Sequence, residues 1–118
     1  MDRSRSLERF LPLRPVEFEV LLSLAGGERH GYGILQDAEA RGAKAPDVGT
    51  LYRALRRMED EGLIGTAGLR QPGDAGDERR HYYHLTALGR RVARAEARRL
   101  EALAEAARLG GLLEGDAP

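Results

Sequence analysis

A chain of 118 residues with 42% hydrophobic and 32% charged residues has the balance of one folded domain with a modest core. Nineteen Lys and Arg offset nineteen Asp and Glu, so affinity for a nucleic acid must come from where the charges sit. The lack of cysteine excludes disulfides and a thiolate metal site, and no apolar run reaches the roughly 18 residues of a membrane span. The opening MDRSRSLERF is charged where a signal peptide would be apolar, so a cytoplasmic location is expected, without a membrane partner.

Residues 1–14 read as an N-terminal arm. Leu7, Phe10 and Leu11 fall at helical spacing there, before Pro12 and Pro15 interrupt. Pro15 suits the first position of a helix running to about Ala25. Its expected inward stripe is Phe18, Leu21, Leu22 and Ala25, and Gly26-Gly27 ends it. A second helix reads from about Gly31 to Arg41, with Ile34, Leu35 and Ala38 inward and Gly42 as its stop.

The third segment, DVGTLYRALRRMEDEG, divides most sharply. At 100° per residue Leu51, Ala54, Leu55 and Met58 share one sector, and Gly49, Tyr52, Arg53, Arg56 and Asp60 share the opposite one. Asp47 is the expected N-cap and Gly62 the stop. LIGTAGLR and RRHYYHL then read as two strands of a hairpin, with QPGDAGDE as its loose tip. Thr86 caps a long helix to about Leu109, which Gly110-Gly111 terminates.

This order of elements gives a mostly α chain of α+β class: a winged helix-turn-helix with a long C-terminal dimerisation helix. The expected divisions are an arm at 1–14, a DNA-binding domain at 15–85, a dimerisation helix at 86–109 and a tail at 110–118. In the long helix Ala93, Ala97, Leu100, Ala104 and Ala107 step by 4, 3, 4 and 3, a seam of small residues that permits close approach of a second copy. A helix of about 24 residues spans roughly 36 Å, more than a small core covers alone.

The stretches HGYGILQDAE, VGTLYRALRRMEDEGLI and ERRHYYHLTALGRR, in this order, resemble the PadR family of bacterial transcriptional regulators. The resemblance runs from about Leu13 to Leu109. Its signatures are G-T-L-Y-x-x-L, from Gly49 to Leu55, and R-x-Y-Y-x-L-T, from Arg80 to Thr86. The single C-terminal helix is similar to the shorter subclass. The resemblance implies a homodimeric repressor on an inverted-repeat operator, with a small-molecule inducer as the partner that releases it. It places Thr50, Tyr52 and Arg53 on the DNA face, where their chemistry and that of Arg56 suit phosphate and guanine. Tyr32, in the first turn of the second helix, is a candidate backbone contact with a core aromatic as the alternative. Arg79 and Arg80 are the candidate wing cations, of which alternation lets one at most point straight at DNA. Against these stand Glu59, Asp60 and Glu61 on the third helix and Asp74, Asp77 and Glu78 on the wing tip. Only the N-terminal half of the third helix is therefore expected to enter a groove.

An enzyme is the less favoured reading. The glycines lack a phosphate-loop spacing, and His30, His81 and His84 read as surface or cap residues with no metal site or cofactor. A winged helix that binds protein without DNA is the remaining alternative.

Overall fold

The computed structural model describes residues 7–42, 44, 46–68 and 81–113, and three of its helices begin at a side-chain cap. Helix α1 (Pro15–Ala25) starts on Pro15, and the Glu17 carboxylate accepts the Arg14 N–H at 2.9 Å. Ahead of α2 (Gly31–Ala40), His30 Nδ1 accepts the Gly33 N–H at 3.1 Å. Asp47 accepts the Thr50 N–H at 2.7 Å to open α3 (Val48–Asp60), and Thr86 accepts the Gly89 N–H at 2.9 Å to open α4 (Ala87–Leu109). Each such cap satisfies a helix-end donor and contributes about 1 kcal/mol. Gly62, at φ 82°, closes α3: its N–H reaches the Glu59 carbonyl and the Leu63 N–H reaches the Met58 carbonyl. A side chain at Gly62 would strain that left-handed turn.

A three-stranded antiparallel sheet in the order β1-β3-β2 flanks the helices, formed by β1 (Arg29–His30), β2 (Ile64–Gly68) and β3 (Tyr82–Leu85). The β2–β3 hairpin is the one expected from the sequence, with Ile64 opposite Leu85 and an irregularity between Thr66 and Gly68. Strand β1 was not expected. Two residues carry no alternation, and Arg29 and His30 become a strand only by pairing with Tyr83 and Tyr82. The predicted wing tip lies outside the described residues.

The core forms where the helices meet the sheet. Leu51, Ala54, Leu55 and Met58 are all buried, as the α3 pattern predicts. The α1 pattern needs correction. Its buried residues are Val20, Leu21, Ser23 and Leu24, whereas Leu22 and Ala25 are exposed and Phe18 is partly buried. The reason lies in VLLSLA, which is apolar on nearly every side and so admits more than one inward face. One face enters the core; the other, with Phe18, Leu22 and Ala25, lines an apolar groove with Leu85, Ala93 and Ala97, flanked by Arg90 and Arg94. Arg41 joins α2 to α1 through Asp37, Glu19 and the buried Ser23 hydroxyl.

Residues ahead of α1 are attached to this body. Leu7, Phe10 and Leu11 pack on the core, Leu13 is buried, and its N–H donates to Glu96 of α4 at 3.3 Å. Glu96 is 2% exposed and also accepts two bonds from Arg99, at 2.7 and 2.9 Å. Beyond Arg99, α4 leaves the body, and all its residues except the half-buried Ala107 are exposed. Among the described residues no helix is long and apolar enough to cross a membrane.

Candidate nucleic-acid interface

Helix α3 presents its polar sector outward because its apolar sector is fixed in the core. Gly49, Tyr52, Arg53, Arg56 and Asp60 are exposed, and with Arg57 they line one surface depression. Thr50 is partly buried at the start of this face, and its Oγ1 accepts from Arg53 Nη2 at 3.3 Å. The Arg53 guanidinium folds back over Gly49, where a Cβ would stand 3.2 Å from Nη1. The Thr50 N–H bond, with Arg53 close by, holds the Asp47 carboxyl below the usual carboxylate range. The tip of α3 thus gathers a capped N-terminus, a hydroxyl and a guanidinium.

Tyr52 does not project straight out. Its ring crosses to the first turn of α2, so close that a Cβ on Gly31 would lie 2.3 Å from the Tyr52 hydroxyl. The absence of a side chain at Gly31 is what lets the two helices approach here. Tyr52 stays 38% exposed, and Tyr32, one residue further along α2, is 60% exposed. That exposure removes the core-aromatic alternative for Tyr32. Behind Tyr52, a cleft toward the sheet is lined by Arg56, Glu59, Thr66, His81 and Tyr83. Burial pushes the Tyr83 hydroxyl above the ordinary tyrosine range.

Arg57, at the edge of the depression, is held by Glu17 of α1, with Nη2 at 3.0 Å from the carboxylate. Val48, at the very start of α3, is 58% exposed, an apolar side chain on the outer end of the helix that the sequence analysis does not single out. Its position next to the N-cap Asp47 was the available signal. His30 is a cap, as one of its expected roles required, and His84 is half-buried. Its Nδ1 is buried without a hydrogen-bond partner, and the other edge of the ring lies over Gly65, where a Cβ would come within 2.8 Å of it. Arg79 and Arg80 lie outside the described residues, as do Asp74, Asp77 and Glu78.

In α4 the seam residues Ala97, Leu100 and Ala104 are exposed, while Ala93 and Ala107 are half-buried. Val92, one residue before the seam's first alanine, is fully buried in the core. The seam and the apolar face of α1 adjoin along the groove shared by Leu22, Ala25, Ala93 and Ala97.

Comparison with known proteins agrees with this architecture. A PadR family regulator from Clostridium difficile superposes with a TM-score of 0.70 at 23% identity, covering 80% of this chain and 95% of that one. BpsR of Bordetella bronchiseptica gives 0.68 at 19% identity, over 93% of this chain and 73% of that one. Bacillus subtilis PadR in complex with operator DNA gives 0.60 at 23% identity, over 71% of this chain and 47% of that one. At these identities the likeness is one of fold. No match is found among curated proteins. Residues 20–95 match the family model described as the transcriptional regulator PadR-like family. With more than half of its length under that model, the chain belongs to the PadR-like family of transcriptional regulators.

Proposed function

We propose that the protein is a sequence-specific DNA-binding regulator, a repressor that acts as a homodimer on an inverted repeat. The observation that carries this reading is the outer face of α3, where Thr50, Arg53 and Arg56 stand on a helix whose opposite side is wholly buried. An α-helix fits the major groove, Arg can fork onto guanine, and a threonine hydroxyl can bond phosphate. Val48 suits contact with a thymine methyl group. Tyr52, which crosses to Gly31, and the exposed Tyr32 next to that glycine in sequence reach the sugar-phosphate backbone beside the groove. Arg79 or Arg80 of the wing supplies a further phosphate contact. Glu59, Asp60 and Glu61 oppose DNA at the far end of α3, so its N-terminal half enters and Arg56 reaches in from the next turn.

The second copy docks through α4. Ala97, Leu100 and Ala104 form an exposed row of small and apolar side chains, and the groove beside them gives a partner helix apolar surface on two sides. Two α3 helices held by one dyad read two half-sites, which is why the operator should be palindromic. Release by a small-molecule inducer is proposed by analogy with BpsR, whose DNA binding is regulated by 6-hydroxynicotinic acid. A gel-shift of the purified protein on the upstream region of its own gene tests the reading. A discrete complex that survives excess unrelated duplex is the expected result. No complex at any ratio would leave a protein-binding winged helix as the better account.

A further inference from the structure

Three arginines lie close together on α3, yet they are not equivalent. Arg53 and Arg56 are exposed on the outer face, whereas Arg57 is committed to α1. Its Nε and Nη2 both donate to Glu17 Oε2, at 3.2 and 3.0 Å. The other oxygen, Glu17 Oε1, accepts the Arg14 N–H at 2.9 Å. The Glu17 side chain is only 12% exposed. One carboxylate therefore fixes the start of α1 and grips the flank of α3 in the same step.

We propose that the Glu17–Arg57 pair is a positioning device that sets the roll of α3 about its axis, so that operator specificity depends on two residues that touch no DNA. This rests on the DNA-binding reading of α3. The buried stripe of Leu51, Ala54, Leu55 and Met58 holds α3 against the core, but apolar contact is non-directional and tolerates small rotations. A two-nitrogen grip from a planar guanidinium is directional. A roll of about 20° would carry atoms at the helix surface, about 5 Å from the axis, through roughly 2 Å. That exceeds the range over which a hydrogen bond to a base edge survives. Arg57 lies one turn after Arg53, so the bond acts on the row of the helix that carries Arg53.

The alternative is that Arg57 is an ordinary phosphate contact that rests on Glu17 between encounters. The two accounts predict opposite signs for Glu17→Gln. If Arg57 contacts phosphate, freeing it and removing a negative charge tightens binding to every duplex. If the pair positions α3, the same change weakens binding to the operator and leaves unrelated duplex unchanged or slightly tighter.

The test uses the full chain, with an operator chosen by selection from random duplexes and a scrambled control. Wild type, Glu17→Gln, Arg57→Lys and Arg57→Ala are titrated with both duplexes across a range of salt. Glu17→Gln and Arg57→Lys, both able to keep the fold, should each lower the operator-to-scrambled affinity ratio about three- to tenfold. Arg57→Ala should weaken operator binding without changing the slope of log affinity against log salt. A uniform tightening by Glu17→Gln, or a slope flattened by about one unit in Arg57→Ala, would overturn the proposal, as would unchanged ratios in all three variants. A wild type that selects no duplex at all would sink the DNA-binding reading itself, and the proposal with it, a result distinct from a wild type that binds while its variants do not differ.

Discussion

Replacing Gly89 by alanine should detach the start of α4 from the sheet. A Cβ at that position would stand 1.9 Å from the Leu63 carbonyl oxygen and 2.9 Å from its carbon. A carbon–oxygen contact needs about 3.3 Å, so roughly 1.4 Å of overlap must be relieved. The obstacle is backbone and cannot rotate away. The same carbonyl accepts the Thr86 N–H at 3.2 Å and the Thr86 hydroxyl at 3.0 Å, so moving it breaks the junction between β3 and α4. Overpacking of about 1–3 kcal/mol and about 1 kcal/mol for each lost bond sum to about 3–5 kcal/mol. For a domain stable by about 5–15 kcal/mol this is a large fraction. At about 4–8 °C per kcal/mol the melting temperature should fall by roughly 12–40 °C. Urea unfolding followed by circular dichroism measures the loss of free energy, and a thermal melt the fall in melting temperature. Gly65→Ala is the control: its Cβ meets only the His84 ring, at 2.8 Å, and a side chain can turn aside at about 1 kcal/mol. A Gly89→Ala midpoint equal to that of wild type would refute the packing argument.

Three further outcomes are expected. Hydrogen bonds from Arg99, opposed by burial and aided by the Arg99 charge and the Leu13 N–H, hold the Glu96 carboxyl below its ordinary value. Its contribution to stability is therefore complete above about pH 4.5 and drains as the pH falls through the depressed value, so acid unfolding of Glu96→Gln should show a shallower pH dependence than wild type. Gly31→Ala must displace the Tyr52 hydroxyl, so its effect on operator affinity should match that of Tyr52→Ala, and a double-mutant cycle should find the two strongly non-additive. Ala97→Arg places a charge in the exposed seam, and sedimentation velocity should show a shift from dimer to monomer.

How much of this was legible in the sequence differed from element to element, for physical reasons. Helix α3 was read correctly in its cap, its buried stripe and its stop, because polar and apolar residues separate cleanly over 13 positions. The stop of α4 at Gly110-Gly111 and its cap at Thr86 were equally local signals. Helix α1 was misread because nearly every side of VLLSLA is apolar, and only the surrounding helices decide which side is inner. Strand β1 owes its existence to a partner more than fifty residues away in Tyr82 and Tyr83, and no local pattern encodes that. The same holds in the candidate interface. The exposure of Tyr52, Arg53 and Arg56 followed from periodicity, but the crossing of Tyr52 onto Gly31 and the capture of Arg57 by Glu17 are tertiary facts. A lone aromatic in a first turn fits surface or core alike, so only the fold decides for Tyr32.

The central claim is that the exposed start of α3 reads DNA, and one titration tests it most directly. Wild type, Arg53→Ala and Arg56→Ala are measured by fluorescence anisotropy against the selected operator duplex, as folded proteins at one fixed salt concentration. The account predicts a loss of about 1–3 kcal/mol for whichever arginine forks onto a base, and a smaller loss for one that meets phosphate. Wild-type affinity in both variants would contradict it, and α3 would then be an ordinary solvated helix.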